Sequence, residues 1–182
     1  MPDIRIEHLE LDGLREARKL VWRCFPRQNP GERLSFLAIA DRDSPQTRRI
    51  MRWVGVAGIL DFWGAIDEQT GELVGTTGLY QYTRDVTEAV WLAWFCVAPE
   101  ARRKGIGSRL VDFSIEKAKH TGLQFLRLYT SDRSNEAAAQ IVYESRGLEI
   151  VARKWRLTHT TVYRELRLDL VTHANVHQHK EA

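Results

Sequence analysis

The sequence has few of the residues that define disulfide-rich, metal-binding or membrane-spanning proteins. Only two of its 182 residues are cysteines, and Cys24 and Cys96 stand far apart in apolar surroundings. This number and spacing exclude a dense disulfide framework and a cysteine-based metal site, so we expect both thiols to be reduced core residues. The longest apolar run, from Ala89 to Ala98, is far shorter than the roughly 20 residues of a membrane-spanning helix.

The amino terminus lacks the apolar stretch of a secretory signal peptide, because charged residues recur through it, and we therefore expect a cytoplasmic protein. Hydrophobic residues make up 43% and charged residues 28% of the chain, which is ordinary for one globular domain of this length. The net charge of +3 and the pI near 9.0 suit an anionic ligand. They fall short of the concentrated basic patch of a dedicated nucleic-acid binder.

The pattern of apolar residues predicts an α/β fold of the α+β type. Helices are predicted near residues 14–25, 44–56, 105–120 and 135–145, and strands over 4–9, 59–66, 73–82, 89–97, 125–130, 148–155 and 161–169. The strand over 89–97 is apolar at every position, so we expect it to lie centrally in the sheet. The helix that follows it joins two neighbouring strands in parallel.

Two segments have weaker patterns. Residues 28–43 combine proline, glycine and several charges, and their centre is compatible with either a strand or a loop. Residues 171–182 are polar and without periodicity, so we expect a flexible tail after a single domain over residues 1–170. The histidines of this tail could bind a metal, but a flexible polar end is favoured, and no metal site is predicted.

The segment from Val97 to Leu110 joins the central strand to a helix through a basic turn that contains Gly105 and Gly107. Backbone amides at a helix N-terminus have no intrahelical acceptor and lie at the positive end of the helix dipole, so they attract anions. The two glycines leave the backbone open to a bulky pyrophosphate. Three basic side chains precede them: Arg102, Arg103 and Lys104.

This turn resembles the acetyl-coenzyme A (acetyl-CoA) signature of the GNAT superfamily of acetyltransferases, which is Gln or Arg, two residues, Gly, one residue, and Gly or Ala. Arg102, Gly105 and Gly107 match it. The family also typically has an Asn at the head of the next helix and a Tyr-Glu-x-x-Gly-Phe-like ending. The matching residues are Asn135, Tyr143, Glu144, Gly147 and Leu148. The resemblance is firm over about residues 89–151, and elsewhere only the order of elements agrees.

The resemblance implies a three-layer GNAT-like fold, with a central mixed, mostly antiparallel sheet of about seven strands and about four flanking helices. A V-shaped split would separate the fourth strand, which ends at Val97, from the fifth, which begins near Phe125. The pantetheine arm of acetyl-CoA would lie in this split against the backbone of Phe95, Cys96 and Val97. Its pyrophosphate would bind the amides of Arg103, Lys104, Gly105, Ile106, Gly107 and Ser108.

The implied reaction is acetyl transfer from acetyl-CoA to a primary amine by direct attack. It needs a deprotonated amine, a polarised thioester carbonyl and a proton for the leaving thiolate. Tyr143 could donate that proton, or it could only pack its helix against the sheet. The backbone amide of Val97 is the predicted contact of the carbonyl. Asn135 could cap its helix or bind the arm of acetyl-CoA.

This chain departs from the family pattern at the position of the general base. Several relatives have a glutamate six residues before the position of Val97, where this chain has Trp91. Glu88 could activate a water as the base, or it could be a solvated carboxylate at a strand end. The amine could also lose its proton directly to water. Four tryptophans could line an acceptor pocket or belong to the core: Trp53, Trp63, Trp91 and Trp94.

The leading hypothesis is an acyltransferase, specifically an N-acetyltransferase, that acts on a small-molecule amine or a peptide amino group. Two alternatives are open at this point. The missing strand glutamate is compatible with a non-catalytic acyl-CoA-binding module, and the basic pI is compatible with a toxin-like enzyme that acetylates aminoacyl-tRNA. No membrane partner is expected and a nucleic-acid partner is not favoured, whereas strand edges near the C-terminus are compatible with a homodimer.

Overall fold

The computed structural model describes residues 3–26, 39, 41 and 44–168. Seven strands have their bounds in these residues: β1 (Ile4–His8), β2 (Val56–Asp67), β3 (Leu73–Tyr82), β4 (Ala89–Val97), β5 (Phe125–Ser131), β6 (Glu149–Trp155) and β7 (Thr160–Arg167). Four α-helices also have their bounds in the described residues: α1 (Leu11–Cys24), α2 (Pro45–Trp53), α3 (Ile106–Lys119) and α4 (Ala137–Glu144). The strands form one sheet in the order β1-β2-β3-β4-β5-β7-β6. Its neighbours are antiparallel, except that β4 and β5 are parallel.

These elements confirm the predicted mixed sheet and its flanking helices. Strands β3 and β4 have the predicted bounds, whereas β2 begins at Val56 rather than at residue 59. The reason is that α2 ends at Trp53 and Gly55 adopts a left-handed conformation with φ of +85°, which reverses the chain early. The segment 28–43, apart from residues 39 and 41, and the tail 171–182 lie outside the described residues.

Strand β4 is central, as its apolar sequence predicts. It is fourth in the order of seven, and its first four residues are buried. Helix α3 connects β4 to β5 and packs across the sheet through Leu110, which is fully buried. A Cβ atom at Gly75 of β3 would lie 2.8 Å from Leu110 Cδ1. The glycine at this position therefore lets α3 lie close to the sheet.

Helix α1 lies on the opposite face of the sheet. The face toward α3 is marked by Thr77 of β3, whose hydroxyl is 2.7 Å from the hydroxyl of Ser114 in α3. Because side chains alternate along a strand, Thr76 and Tyr80 point to the other face. On that face the hydroxyl of Thr76 lies 3.3 Å from Cys96 Sγ, and the Cys96 thiol contacts the thiol of Cys24 in α1. The sheet is thus the middle one of three layers.

Strand β6 forms the edge of the sheet near the C-terminus. All seven of its residues are exposed, and β7 is its only neighbour among the described strands. At the other edge, β1 pairs with β2 along five residues. Within the described part of the chain, no helix has the length and apolar character to cross a membrane.

Replacing Leu110 with alanine should lower the free energy of unfolding by about 2–5 kcal/mol, because the change removes buried methyl groups between α3 and the sheet and leaves a cavity. Urea denaturation followed by circular dichroism measures this difference. The matched control is Leu157→Ala, since Leu157 is 97% exposed and its loss should change stability by no more than about 0.5 kcal/mol. Equal effects of the two substitutions would contradict the described core.

Candidate active site

Strands β4 and β5 separate after a short parallel seam. They pair only where Ala89–Trp91 of β4 meets Phe125–Arg127 of β5. From Leu92 to Val97, the edge of β4 that faces β5 has no strand partner in the described part of the chain. An extended ligand can hydrogen-bond to such an edge as an added strand does. This opening is the predicted V-shaped split.

A β-bulge interrupts β4 beside the split. Trp94 and Phe95 together stand opposite Thr77 of β3. Trp94 has a φ of +46°, a conformation that costs a bulky residue roughly 1–3 kcal/mol. The hydroxyl of Thr76 donates a hydrogen bond of 2.7 Å to the carbonyl oxygen of Trp94, which holds the bulge in place. The bulge takes Trp94 and Phe95 out of regular pairing with β3 beside the open edge of β4.

The split opens into a cleft of about 2430 Å³. Its walls come from the end of α1, from α2 and α4, from β2, β3, β4, β5 and β7, and from the loop between β6 and β7. Four residues predicted to form the site line it: Phe95, Arg102, Asn135 and Tyr143. The buried Cys96, the strand end at Val97 and the turn over residues 103–108 are not among the walls, and the turn follows directly on the lining residue Arg102.

The turn over residues 103–108 has the features of an anion site. Arg103 and Gly105 both have left-handed φ angles, of +62° and +80°. No protein acceptor within the described residues receives the backbone N–H groups of this turn. These groups lie at the N-terminus of a helix of 14 residues, where the helix dipole is positive. Arg102 Nε donates to the carbonyl oxygen of Val97 at 3.1 Å and so ties the turn to the end of β4.

The start of α3 lies beside β4 at Gly107. A Cβ atom at this position would lie 3.4 Å from Phe95 Cζ and 3.7 Å from Val97 Cγ2, which is ordinary van der Waals contact. A larger side chain would fill the space between the helix N-terminus and the unpaired edge of β4. The role of this glycine in keeping the backbone open stays a prediction, and the residues present fit a pyrophosphate and an attached extended arm.

Tyr143 of α4 stands at the other side of the split. Its ring centroid is 5.6 Å from that of Phe95, and the residue is 5% exposed. Within the described residues, its hydroxyl has no hydrogen-bond partner. Burial, followed by the negative charge of Glu136, raises the pKa of Tyr143 above its ordinary value. The hydroxyl is therefore protonated at neutral pH and can donate a hydrogen bond.

Asn135 is exposed and lines the cleft within the short helical turn Ser134–Glu136. Capping was one of the two roles predicted for it, but neither this turn nor α4 has a capping side-chain hydrogen bond. Its side-chain amide is thus not used for a cap and is directed to no protein partner in the described part of the chain. This leaves it available for a ligand.

The model of the acetyltransferase (GNAT) family matches residues 14–148 of the sequence. The chain belongs to this family. A GNAT acetyltransferase from Staphylococcus aureus Mu50 has a similar structure, with a TM-score of 0.68, 19% sequence identity, and coverage of 91% of this chain and 99% of that chain. The ribosomal-protein-S18-alanine N-acetyltransferase of Escherichia coli is also similar, with a TM-score of 0.65, 19% sequence identity, and coverage of 94% of this chain and 98% of that chain. At this identity the two structures show a shared fold.

One curated relative extends the comparison to sequence. GCN5-related N-acetyltransferase 6, chloroplastic, from Arabidopsis thaliana is 34% identical over 61 residues. The match covers 34% of this chain and only 20% of the relative. The GNAT assignment, the fold class and the acetyltransferase class predicted from the sequence are confirmed by the family match. It favours an enzyme over a binding module without catalysis.

Glu88 does not line the cleft of this GNAT protein. Its carboxylate accepts hydrogen bonds from Arg127 Nη2 at 2.9 Å and Nη1 at 3.3 Å, at the closed end of the V. The same guanidinium binds Asp85 at 2.9 Å and Glu165 at 2.6 Å. These contacts link the start of β4 to β5 and β7. The role of Glu88 as a general base stays a prediction, and this geometry gives it no support.

The four tryptophans of the GNAT domain lie in different environments. Trp63 packs edge-on against Phe113 of α3 at 5.3 Å between ring centroids and belongs to the core. Trp91 is also buried, at 4% exposure. Trp94 lines the cleft, whereas Trp53 is 88% exposed and is not part of its walls. Only one of the four therefore has the predicted pocket-lining position.

One wall of the cleft, formed by tyrosines and an arginine, is not predicted from the sequence. Tyr80, Tyr82, Tyr129 and Tyr163 line the cleft, as does Arg84. The spacing of Tyr80 and Tyr82 indicates that they share one face of β3. The other two tyrosines come from β5 and β7, and only the pairing of these strands shows that they complete the same wall.

Cys24 and Cys96 are both free and buried, as predicted. The thiol of Cys24 donates to the carbonyl oxygen of Val97 at 3.6 Å, and that of Cys96 is 3.3 Å from the hydroxyl of Thr76. A hydrogen bond from Cys96 and the charge of Arg102 lower the pKa of Cys24 to about 7, although burial acts in the opposite direction. The same pairing and burial raise the pKa of Cys96.

Because a lowered pKa increases the thiolate fraction, alkylation of Cys24 should rise as the pH passes through about 7 and level off above it. Iodoacetamide labelling of the native protein, followed by mass spectrometry, measures this profile. Cys24→Ser should abolish the labelling, and Cys96 should stay unlabelled until the protein unfolds. A midpoint near the ordinary value of about 8.5 would contradict the described environment.

Proposed function

We propose that this protein transfers the acetyl group of acetyl-CoA to a primary amine by direct attack. The supporting observation is that the unpaired edge of β4 and the free amides of the turn over residues 103–108 lie at one end of the same strand. The backbone of residues 95–97 would bind the arm, with Asn135 beside it. The turn amides and the charges of Arg102, Arg103 and Lys104 would bind the pyrophosphate. Acetyl-CoA supplies an activated acetyl thioester.

The chain's own groups would then stabilise the transfer. A backbone amide within residues 95–97, at or just after the bulge, would donate to the thioester carbonyl and stabilise the negative charge that develops there. Val97 is the position predicted from the sequence. The protonated hydroxyl of Tyr143 would donate its proton to the departing sulfur. Both groups belong to the two sides of the split, so an acetyl group between them can contact each.

Water is the proposed acceptor of the proton from the amine. Among the described residues that line the cleft, the carboxylates are Asp41 and Glu136. Asp41 accepts a hydrogen bond of 2.5 Å from Thr47, and Glu136 accepts from Thr130 and Ser131 at 2.6 Å and 2.5 Å. Each is already engaged with the protein, which supports the proposal that neither carboxylate is dedicated to deprotonation.

The acceptor is a small-molecule amine or a peptide amino group in this proposal. The name of the Escherichia coli neighbour, a ribosomal-protein-S18-alanine N-acetyltransferase, keeps peptide amino groups among the candidates. The cytoplasmic location, the homodimer and the absence of a metal requirement stay predictions from the sequence.

Calorimetry with acetyl-CoA tests the donor site. Gly107→Val should weaken the affinity by roughly tenfold or more, which corresponds to about 1.4 kcal/mol, because its methyl groups enter the space between α3 and β4. Gly58→Val is the matched control, since a Cβ at Gly58 meets nothing within 4 Å. Acetyl-CoA binding that is absent in the unmodified protein, or equal in both variants, would contradict the site.

Tyr143→Phe should lower kcat by roughly 100-fold, the usual range for loss of a general acid, and leave acetyl-CoA affinity unchanged. Thiol release with an amine acceptor measures kcat, and calorimetry measures affinity. Tyr163→Phe is the control, because Tyr163 also lines the cleft but has no role in the proposed transfer. Full turnover by the Tyr143 variant would show that the residue only packs α4 against the sheet.

A further inference from the structure

Arg84 presents a guanidinium group to the cleft from the short helical turn Thr83–Asp85 that follows β3. Its Cζ atom lies 4.7 Å from the ring centroid of Tyr82 and 5.0 Å from that of Trp91. Contact with two rings restricts the position of the guanidinium and leaves the N–H groups at its edge directed past the rings. The side chain is 61% exposed, so a ligand in the cleft can reach these donors.

The nearest carboxylate does not satisfy Arg84. Asp85 Oδ2 is 4.0 Å from Arg84 Nε, beyond hydrogen-bond distance. Asp85 itself is nearly buried and accepts from Trp91 Nε1 at 3.2 Å and 3.1 Å and from Arg127 Nη1 at 2.9 Å. The two other carboxylates of this cluster also bind Arg127. The N–H groups of Arg84 therefore have no hydrogen-bond acceptor within the described residues and can bind a ligand.

The charge of the cleft favours an anion. Its described walls contain two carboxylates, Asp41 and Glu136, and five arginines, Arg23, Arg84, Arg102, Arg133 and Arg156. Arg102 lies at the turn assigned to the pyrophosphate, and Arg23 binds Glu100 at 2.8 Å. Arg84 lies elsewhere, in the turn after β3, against the ring of Tyr82. An anion beside Arg84 is thus separate from the phosphates of acetyl-CoA.

We propose that Arg84 is a specificity-determining residue that binds an oxyanion, either a carboxylate or a phosphate, on the acceptor amine. The inference rests on the proposed function, because it assigns the substrate class of the same cleft. The amine would approach the bulge of β4, the oxyanion would bind Arg84, and the apolar chain between them would pack against Tyr80 and Tyr82. A planar guanidinium can pair with either oxyanion through two parallel hydrogen bonds. The acceptor class is therefore a small primary amine that carries a negative charge.

Acetyl transfer to matched pairs of acceptors tests this assignment. Each ω-amino acid of a series of increasing chain length is compared with the alkylamine that lacks its carboxylate, and phosphoethanolamine is compared with ethanolamine. The unmodified protein should prefer the charged member of at least one kind of pair in kcat/KM. Arg84→Gln should lower kcat/KM for that member by roughly 10- to 100-fold, mainly through KM, and leave the neutral member unchanged. The kind of pair affected distinguishes carboxylate from phosphate.

Two further variants distinguish binding of the oxyanion by Arg84 from a general effect of positive charge on the protein. Arg84→Lys keeps the charge but loses the planar guanidinium. Its kcat/KM for the charged acceptor should therefore lie between the values of the unmodified protein and of Arg84→Gln. Arg15→Gln removes an exposed charge that is paired with Asp12 on α1 and should have no effect. Equal preference for charged and neutral acceptors, or a preference that Arg84→Gln retains, overturns the assignment but leaves acetyl transfer intact. Acetyl-CoA binding without acetylation of any acceptor overturns both.

Discussion

The active site depends on two parallel strands that are paired at one end and apart at the other. Three residue pairs hold β4 to β5, and the guanidinium of Arg127 reinforces this closed end by binding three carboxylates. At the open end, the bulge at Trp94 and the ring of Tyr143 occupy the two sides. The unpaired edge of β4 is thus already formed, and a ligand needs to break no strand pairing to bind it.

Helix α3 links this opening to the anion site through topology. Parallel neighbours cannot be joined by a tight turn, so the chain must cross over between the end of β4 and the start of β5. A helix that makes this crossing begins where β4 ends. Its unpaired amides therefore lie beside the open end of the split, where Gly107 is next to Phe95. The same connection produces the parallel pairing and the phosphate site.

The sequence predicted those parts of the site that are carried by one continuous segment. The turn from Arg102 to Ser108 and the central position of β4 follow from local patterns, and the described structure contains both. The ligand roles of this turn and of Tyr143 stay predictions. The tyrosine wall and Arg84 were missed because they come from several strands, and their proximity depends on sheet register. Glu88 has a pattern compatible with a base, but its pairing with Arg127 depends on a strand more than thirty residues away.

The narrow seam also has a consequence for stability. Strands β1 to β4 form one continuous ladder and β5, β7 and β6 form another, and the backbone connection between the two ladders is limited to the few pairs at Ala89–Trp91. Side chains of one buried cluster span both ladders, so packing rather than backbone pairing joins the two halves of the sheet. A bound arm that contacts both halves would add to this connection, and so occupancy of the split and stability of the whole domain are thermodynamically linked.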